Sequence, residues 1–348
     1  MDEITRVFID TSKSVFQLHG VNAAEEVVLR RQMSRARMVE FFSKLPPTRI
    51  GLEACGGSHH WARVLRELDH EVKLIAPQYV KAYVKRGKND AADAAAGCEA
   101  MSRPTMRFVP VKTAEQQAAL MLVGVRESIV RERTQLTNMI RGYASEFGVV
   151  APKGLCKVEE LLERVAEDDS LPVLARELFA GLSGQYAEVQ ARFEAVDAKL
   201  LAWHRGNPVS VALAKIPGVG PIGASLLVMK TPDPGGFSSG RQFAAWMGLT
   251  PKDHSTAGKA RPGVITRAGD ERLRSVLVVG ATALVNMARL GKGKNPWLAA
   301  LLQRKPPKLA AVALANKIAR IAWRMMATGE AYDAKRMTLT PAATTTGG

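Results

Sequence analysis

Cysteine is scarce in this chain. Cys55, Cys98 and Cys156 stand far apart and form no CxxC pair. That excludes a disulfide framework and a zinc site built from neighbouring ligands. Long apolar runs are missing as well; none approaches the roughly 20 residues needed to span a bilayer. Neither a lipidation motif nor a basic amphipathic anchor is evident, so no membrane partner is expected. The opening MDEITRVFID is acidic and lacks the layout of a signal peptide, so the expected location is cytoplasmic. Acidic residues are outnumbered, 33 against 49 Lys and Arg, leaving a net charge of +16. Such an excess attracts polyanions through phosphate contacts and counterion release, which favours nucleic acid as partner. With 348 residues, 47% of them hydrophobic, the chain is long enough for two or three cores.

The first hundred residues read as strands, then as helices alternating with strands. TRVFID (5–10), SVFQLHGV (14–21) and EVVLR (26–30) lie within turn distance and suggest an antiparallel meander. MSRARMVEFFSKL (33–45) has helical periodicity and ends before Pro46-Pro47. TRIGLEA (48–54) and EVKLIAP (71–77) are further strands, separated by the amphipathic helix HHWARVLREL (59–68). Helical YVKAYVK, the basic loop KRGKN and a helix from Asp90 to Met101 complete the region. This β-β-β-α-β-α-β-α order is the RNase H-like topology, a mixed α/β sheet. Residues 103–206 carry no strand signal and read as helical, with interruptions near 169–172 and 181–184. Tyr186, Val189, Phe193, Val196, Leu200 and Trp203 recur at spacings of three and four. Either a coiled-coil seam or an amphipathic core helix fits that pattern. The expected division is 1–102, 103–206, 207–336 and a Thr/Ala/Gly-rich disordered tail at 337–348.

Four acids occupy telling places. Asp10 ends the first strand, Glu53 ends RIGLE, and Asp90 and Asp93 open a helix one turn apart. In the expected topology these ends converge, and clustered carboxylates repel unless cations neutralise them. Hard Mg²⁺, two ions per site, suits carboxylates plus phosphate oxygens and can stabilise both the attacking and leaving oxygens of a phosphodiester. Singly, Asp90 and Asp93 could serve as helix N-terminal charges and Asp10 as a turn residue. An acid ending a buried strand, as Glu53 does, is harder to explain structurally. His59 and His60 read as helix-start or DNA-contact residues.

Toward the C-terminus, LAKIPGVGPIGASLLVM (213–229) has the form of a helix-hairpin-helix. Gly218 and Gly220 permit a tight turn, and the next helix's amides can take a DNA phosphate. Beyond it, a polar loop carries Ser255, Thr256, Gly258 and Lys259, with Lys252 before it and Arg261, Arg267, Arg272 and Arg274 after. By spacing this is a phosphate-binding loop followed by a basic helix.

IDTSK, LEACGG, KNDAADA, IPGVGP, FAAWMGLTP, STAGK, ITRAGD and ERLR occur in that order over nearly the whole chain. Together they resemble the DEDD transposases of bacterial insertion sequences, the bridge-RNA-guided recombinases. The resemblance implies a RuvC-like N-terminal domain, a helical oligomerisation region and a helical C-terminal transposase domain with a nucleophilic serine. It makes Asp10, Glu53, Asp90 and Asp93 the metal-binding acids. It also implies a non-coding guide RNA pairing with donor and target duplex DNA, a homo-oligomer from dimer to tetramer, and a nucleoid-associated bacterial protein. In that oligomer, the RuvC-like domain of one subunit is expected to meet the serine domain of another. One branch of the family has its serine where Thr256 stands; Ser255, one residue earlier and the only serine in the loop, is the preferred nucleophile. Two rivals stay open: a junction-resolvase-like nuclease using water, and a non-catalytic nucleic-acid-binding protein.

Overall fold

A computed structural model describes residues 3–11, 13–84, 90–254, 262–293 and 295–335. The TRVFID run forms β1 (Arg6–Thr11), followed by β2 (Val15–Val21) and β3 (Val27–Ser34). Then come α1 (Met38–Phe42), β4 (Arg49–Glu53), α2 (Ser58–Glu67), β5 (Glu71–Ile75), α3 (Pro77–Lys81), α4 (Asp90–Ala100) and β6 (Phe108–Val109). The strands make one mixed sheet in the order β3-β2-β1-β4-β5-β6. β1 pairs antiparallel with β2 and β2 with β3, whereas β4 runs parallel to both β1 and β5. Three antiparallel strands followed by parallel additions is the expected order.

The sheet is covered on both faces. Val7, Ile9, Phe16, Leu18, Ile50 and Leu52 pack with Met38, Phe42, Trp61 and Leu65 from α1 and α2. On the other face Phe8 joins Ala94, Cys98 and Ala100 of α4. A strand buried on both sides reads as a continuous apolar run, which is why RVFI was legible.

Two local expectations fail here. The helix expected over 33–45 shrinks to the five residues of α1, because β3 runs on to Ser34 and a 3-10 turn fills Arg35–Arg37. Pairing with β2 wins: Met33 is buried in the sheet core, and the Arg35 amide donates to the Ser14 carbonyl at 2.9 Å. The strand β6 was not expected either; two residues are too few to show a period. It pairs with Leu74 and Ile75 at the edge of the sheet.

The described residues divide into two compact units after Ala118. The second unit is largely helical, built on α5 (Ala114–Glu146), α6 (Val158–Ala166) and α7 (Val173–Gly206). The break expected at 181–184 does not occur; α7 runs through both glycines for 34 residues. Each interior glycine costs the helix about 1 kcal/mol relative to Ala, and burial of Phe179, Tyr186 and Val189 offsets it. The seam is filled within the chain: Tyr186, Val189, Phe193 and Val196 pack with Ile129, Leu136 and Ile140 of α5. Ion pairs Arg126–Asp197 (2.6 Å) and Arg192–Glu132 (2.5 Å) set the two helices antiparallel. The Arg133 guanidinium lies 3.8 Å from the Phe193 ring centroid.

α8 (Pro208–Leu213), α9 (Pro221–Lys230), α10 (Gly240–Trp246), β7 (Pro251–Asp253), β8 (Pro262–Ile265), α11 (Glu271–Arg289), α12 (Pro296–Leu302) and α13 (Pro307–Thr328) follow. Leu273, Leu277, Ala281 and Val285 of α11 meet Ala311, Leu314, Ile318 and Ala322 of α13, one fully buried stripe against another. No described helix is long and apolar enough to cross a membrane.

The turn between α8 and α9 is seated on α11. Gly218 has φ +83°, and a Cβ on Gly280 would overlap the Gly218 carbonyl. Gly280→Ala should therefore destabilise the fold by about 3 kcal/mol, the upper part of the overpacking range. Gly181→Ala, which meets nothing within 4 Å, should stabilise it by about 1 kcal/mol. Urea unfolding midpoints check both; a destabilising Gly181→Ala would mean that α7 is broken there.

Candidate functional site

The acids are brought together by the packing of α4 on the sheet. Phe8 and Asp10 are two residues apart on β1 and share the face that α4 covers. A Cβ at Gly97 would overlap the Phe8 ring, and one at Gly51 would lie 2.7 Å from it. The ring thus occupies space that only glycines on α4 and β4 can give. From that contact Asp10 lies about 6.6 Å toward the end of β1, and Asp93 one turn, about 6 Å, back along α4. Those two distances match, so the start of α4 comes level with the ends of β1 and β4. β1 and β4 are neighbours in parallel register, Ile9 opposite Leu52, which sets Glu53 beside Asp10.

Electrostatics agree with that placement. The Asp10 carboxyl is pushed up to about 6, first by burial and then by the charges of Asp90, Glu53 and Asp93, against a lowering hydrogen bond from the Thr11 amide. Burial raises Glu53 too, helped by Asp93 and opposed by the Lys81 cation. The charges of Asp90, Glu53 and Asp93 thus all reach Asp10, and that of Asp93 also reaches Glu53. Among the described residues, however, no three His, Cys, Asp or Glu side chains close on one point tightly enough to form a finished metal cage. The acids' hard oxygen donors suit Mg²⁺ or a similar ion. Thr11 Oγ1 and Cys55 Sγ, 3.1 Å apart, tie the ends of β1 and β4 beside the acids.

Sequence reasoning missed Gly51, Gly97, Lys81 and the Thr11–Cys55 link. Only the small-residue run DAADAAAGCEA of α4 hinted at close packing. His59 takes a hydrogen bond at Nδ1 from the Lys112 amide at 3.2 Å. Burial, then Lys112 and Arg63, lower its pKa to about 4, so it is neutral near pH 7.

In the second unit, β7 and β8 form a two-stranded antiparallel hairpin, Pro251 opposite Ile265. The expected loop nucleophiles Ser255 and Thr256, with Gly258, Lys259 and Arg261, lie outside the described residues. Lys252 and Arg267 are exposed, and Arg267 holds a left-handed φ of +55°. The Arg274 guanidinium donates to the carbonyls of Met247 (3.1 Å) and Ala268 (3.0 Å), clamping the two segments that lead into and out of the hairpin. Arg272 pairs with Glu127 at 2.5 Å. Both side chains are thus engaged within the fold. Asp270 caps α11 by accepting from the Arg272 and Leu273 amides at 3.0 Å each. Burial pushes its pKa up, but the Lys230 ammonium and these amides outweigh that and hold it below the ordinary value. Gly220 is exposed at the start of α9 and Gly218 half-buried.

Two family models match the chain. One, described as a transposase of the DEDD IS110 type, covers residues 7–147; the other, described as transposase IS116/IS110/IS902 family, covers 210–301. Relatives named as inferred transposases include one from Sinorhizobium fredii, 66% identical over 95% of this chain and 86% of its own length. Another, from Pseudomonas aeruginosa, is 46% identical over 94% of this chain and 98% of its own. The transposase for insertion sequence element IS1328 of Yersinia enterocolitica is 36% identical over 96% and 100%.

Because the folded pKa of Asp10 is raised, its contribution to stability is complete below about pH 4. It is lost as pH rises through about 6 in cation-free protein. Carboxyl-carbon NMR should show that titration, and Glu53→Gln should move it down; an unmoved titration would mean that the two acids do not share a site. Gly97→Ala should push α4 off the sheet and weaken divalent-cation binding, measured by calorimetry, with every carboxylate intact.

Proposed function

The chain belongs to the IS116/IS110/IS902 transposase family, an enzyme family acting on DNA, and on that premise we propose an RNA-guided serine recombinase. In this reading the N-terminal unit has an RNase H-like, RuvC-like role, supported by its strand order. The carrying observation is the charge that Asp90, Glu53 and Asp93 together place on Asp10. Asp10, Glu53, Asp90 and Asp93 would hold the divalent ions. When bound, these ions supply charge neutralisation at the scissile phosphodiester. Lys81, which already opposes the raised pKa of Glu53, helps offset the cluster's charge.

The attacking group is the Ser255 hydroxyl, with Thr256 the alternative position. Its Oγ forms a bond to phosphorus, the bond from phosphorus to the 3′ oxygen breaks, and the hydroxyl proton ends on that oxygen. The products are a phosphoserine link and a free 3′ hydroxyl. Attack by a second 3′ hydroxyl reverses the step on a new partner, so strands exchange without an external energy source. Lys252, Lys259, Arg261 and Arg267 bind DNA phosphates, as do the amides at Gly218 and Gly220. Arg272 and Arg274 act more indirectly, through the ion pair with Glu127 and the clamp on the segments that flank the hairpin. A guide RNA selects donor and target, and the enzyme works as a homo-oligomer.

Incubating the full chain with Mg²⁺, element-derived RNA and paired DNA sites should give recombinant product and a denaturant-stable protein–DNA species. Ser255→Ala should abolish that species; its survival would move the nucleophile to Thr256. Asp10→Asn should slow its formation by roughly 10²–10³, the loss typical of one charge-stabilising group. Nicks without a covalent species would instead identify a nuclease that uses water.

A further inference from the structure

Beyond the acidic site, the first unit carries a basic strip whose arginines form no salt bridge among the described residues. Edge strand β3 and the 3-10 turn after it present Arg30, Arg31, Arg35 and Arg37, all exposed. No acid occurs from residue 27 to 39. The acids in the adjoining sequence are engaged elsewhere: Glu25 with Arg6, Glu26 with Asn22 and Glu40 with Lys44. Among the described residues none of the four arginines makes an ion pair with a carboxylate.

Two of them are held in place. The Arg31 guanidinium lies 5.7 Å from the centroid of Phe41 and that of Arg35 5.3 Å from Trp61. Trp61 is itself fixed, buried and edge-on to Phe16 with centroids 5.2 Å apart. An aromatic face orients a guanidinium while leaving its N–H donors free for another ligand. Arg31 lies on β3 and Arg35 opens the 3-10 turn four residues later, with buried Met33 between them, at most about 14 Å apart. That separation suits phosphates several nucleotides apart on one strand.

Placement in the sheet says what the strip is for. β3 runs in the same direction as β1 and β4, because each is antiparallel to β2 or parallel to β1. The 3-10 turn therefore lies at the end of the sheet where Asp10 and Glu53 stand. We propose that Arg31 and Arg35, with Arg30 and Arg37 beside them, form an exosite for the backbone of duplex DNA leading to the acidic cluster. The inference rests on DNA being the substrate, and it does not depend on the serine chemistry.

Binding without divalent cations tests it apart from cleavage. Labelled duplex DNA would be titrated with full-length protein by fluorescence anisotropy between 50 and 200 mM salt. Arg31→Ala/Arg35→Ala should weaken binding roughly 10- to 100-fold at 0.1 M salt and reduce the log–log salt slope by about 1.8, two phosphate contacts' worth. Lys44→Ala, just past α1 and paired with Glu40, should change neither. Arg31→Lys/Arg35→Lys should keep most of the slope while losing part of the affinity, since charge remains but the stacked fork does not. Circular dichroism establishes that the variants are folded. Unchanged DNA affinity and slope in the alanine variant would overturn the proposal. So would a loss confined to element-derived RNA used as the probe, which would make the strip an RNA site.

Discussion

One ring seated between two glycines organises the first unit. Phe8 fills the space left by Gly51 on β4 and Gly97 on α4, which lets the helix lie close to the centre of the sheet. Two residues along β1 from that contact stands Asp10, and one turn along α4 stands Asp93. The carboxylates are therefore placed chiefly by the backbone's closeness, with the Thr11 amide also donating to Asp10. A fully buried ring also makes the arrangement stiff, because interiors close-packed at this density transmit displacement rather than absorb it.

That stiffness has an electrostatic cost, visible in the raised pKa values of Asp10 and Glu53. A fold with no use for the cluster could relieve it by a single Asp→Asn or Glu→Gln change. Here all four acids remain, with Lys81 and the Thr11 amide giving only partial relief. Repulsion left in place by the packing is compatible with the hard-cation site of the proposed function.

The sheet and the acids were largely legible in the sequence, and for the same reason. Strands buried on both faces write continuous apolar runs, and Asp10 and Glu53 stand out as charges ending them. What was not legible depends on contacts distant in sequence. Pairing of β3 with β2 overrode the helical periodicity of residues 33–45, and α5 packing carried α7 through Gly181 and Gly184. Similarly, Arg272 and Arg274 look like any basic helix start in sequence; their partners Glu127, Met247 and Ala268 come from other elements. The a/d spacing of α7 was seen correctly but is silent on its partner, which proves to be α5 of the same chain.

That last point bears on assembly. A seam occupied within the chain cannot also join two subunits, so an oligomer needs a different surface. The second unit repeats the device found in the first: Gly218 seats on Gly280, and Gly248 and Gly269 let the segments flanking the hairpin cross closely. The Arg274 clamp then locks that crossing from beneath. In both units, glycines bring backbones together close to the residues that the proposed function uses. The described strands β7 and β8 are thereby held at the base of the hairpin.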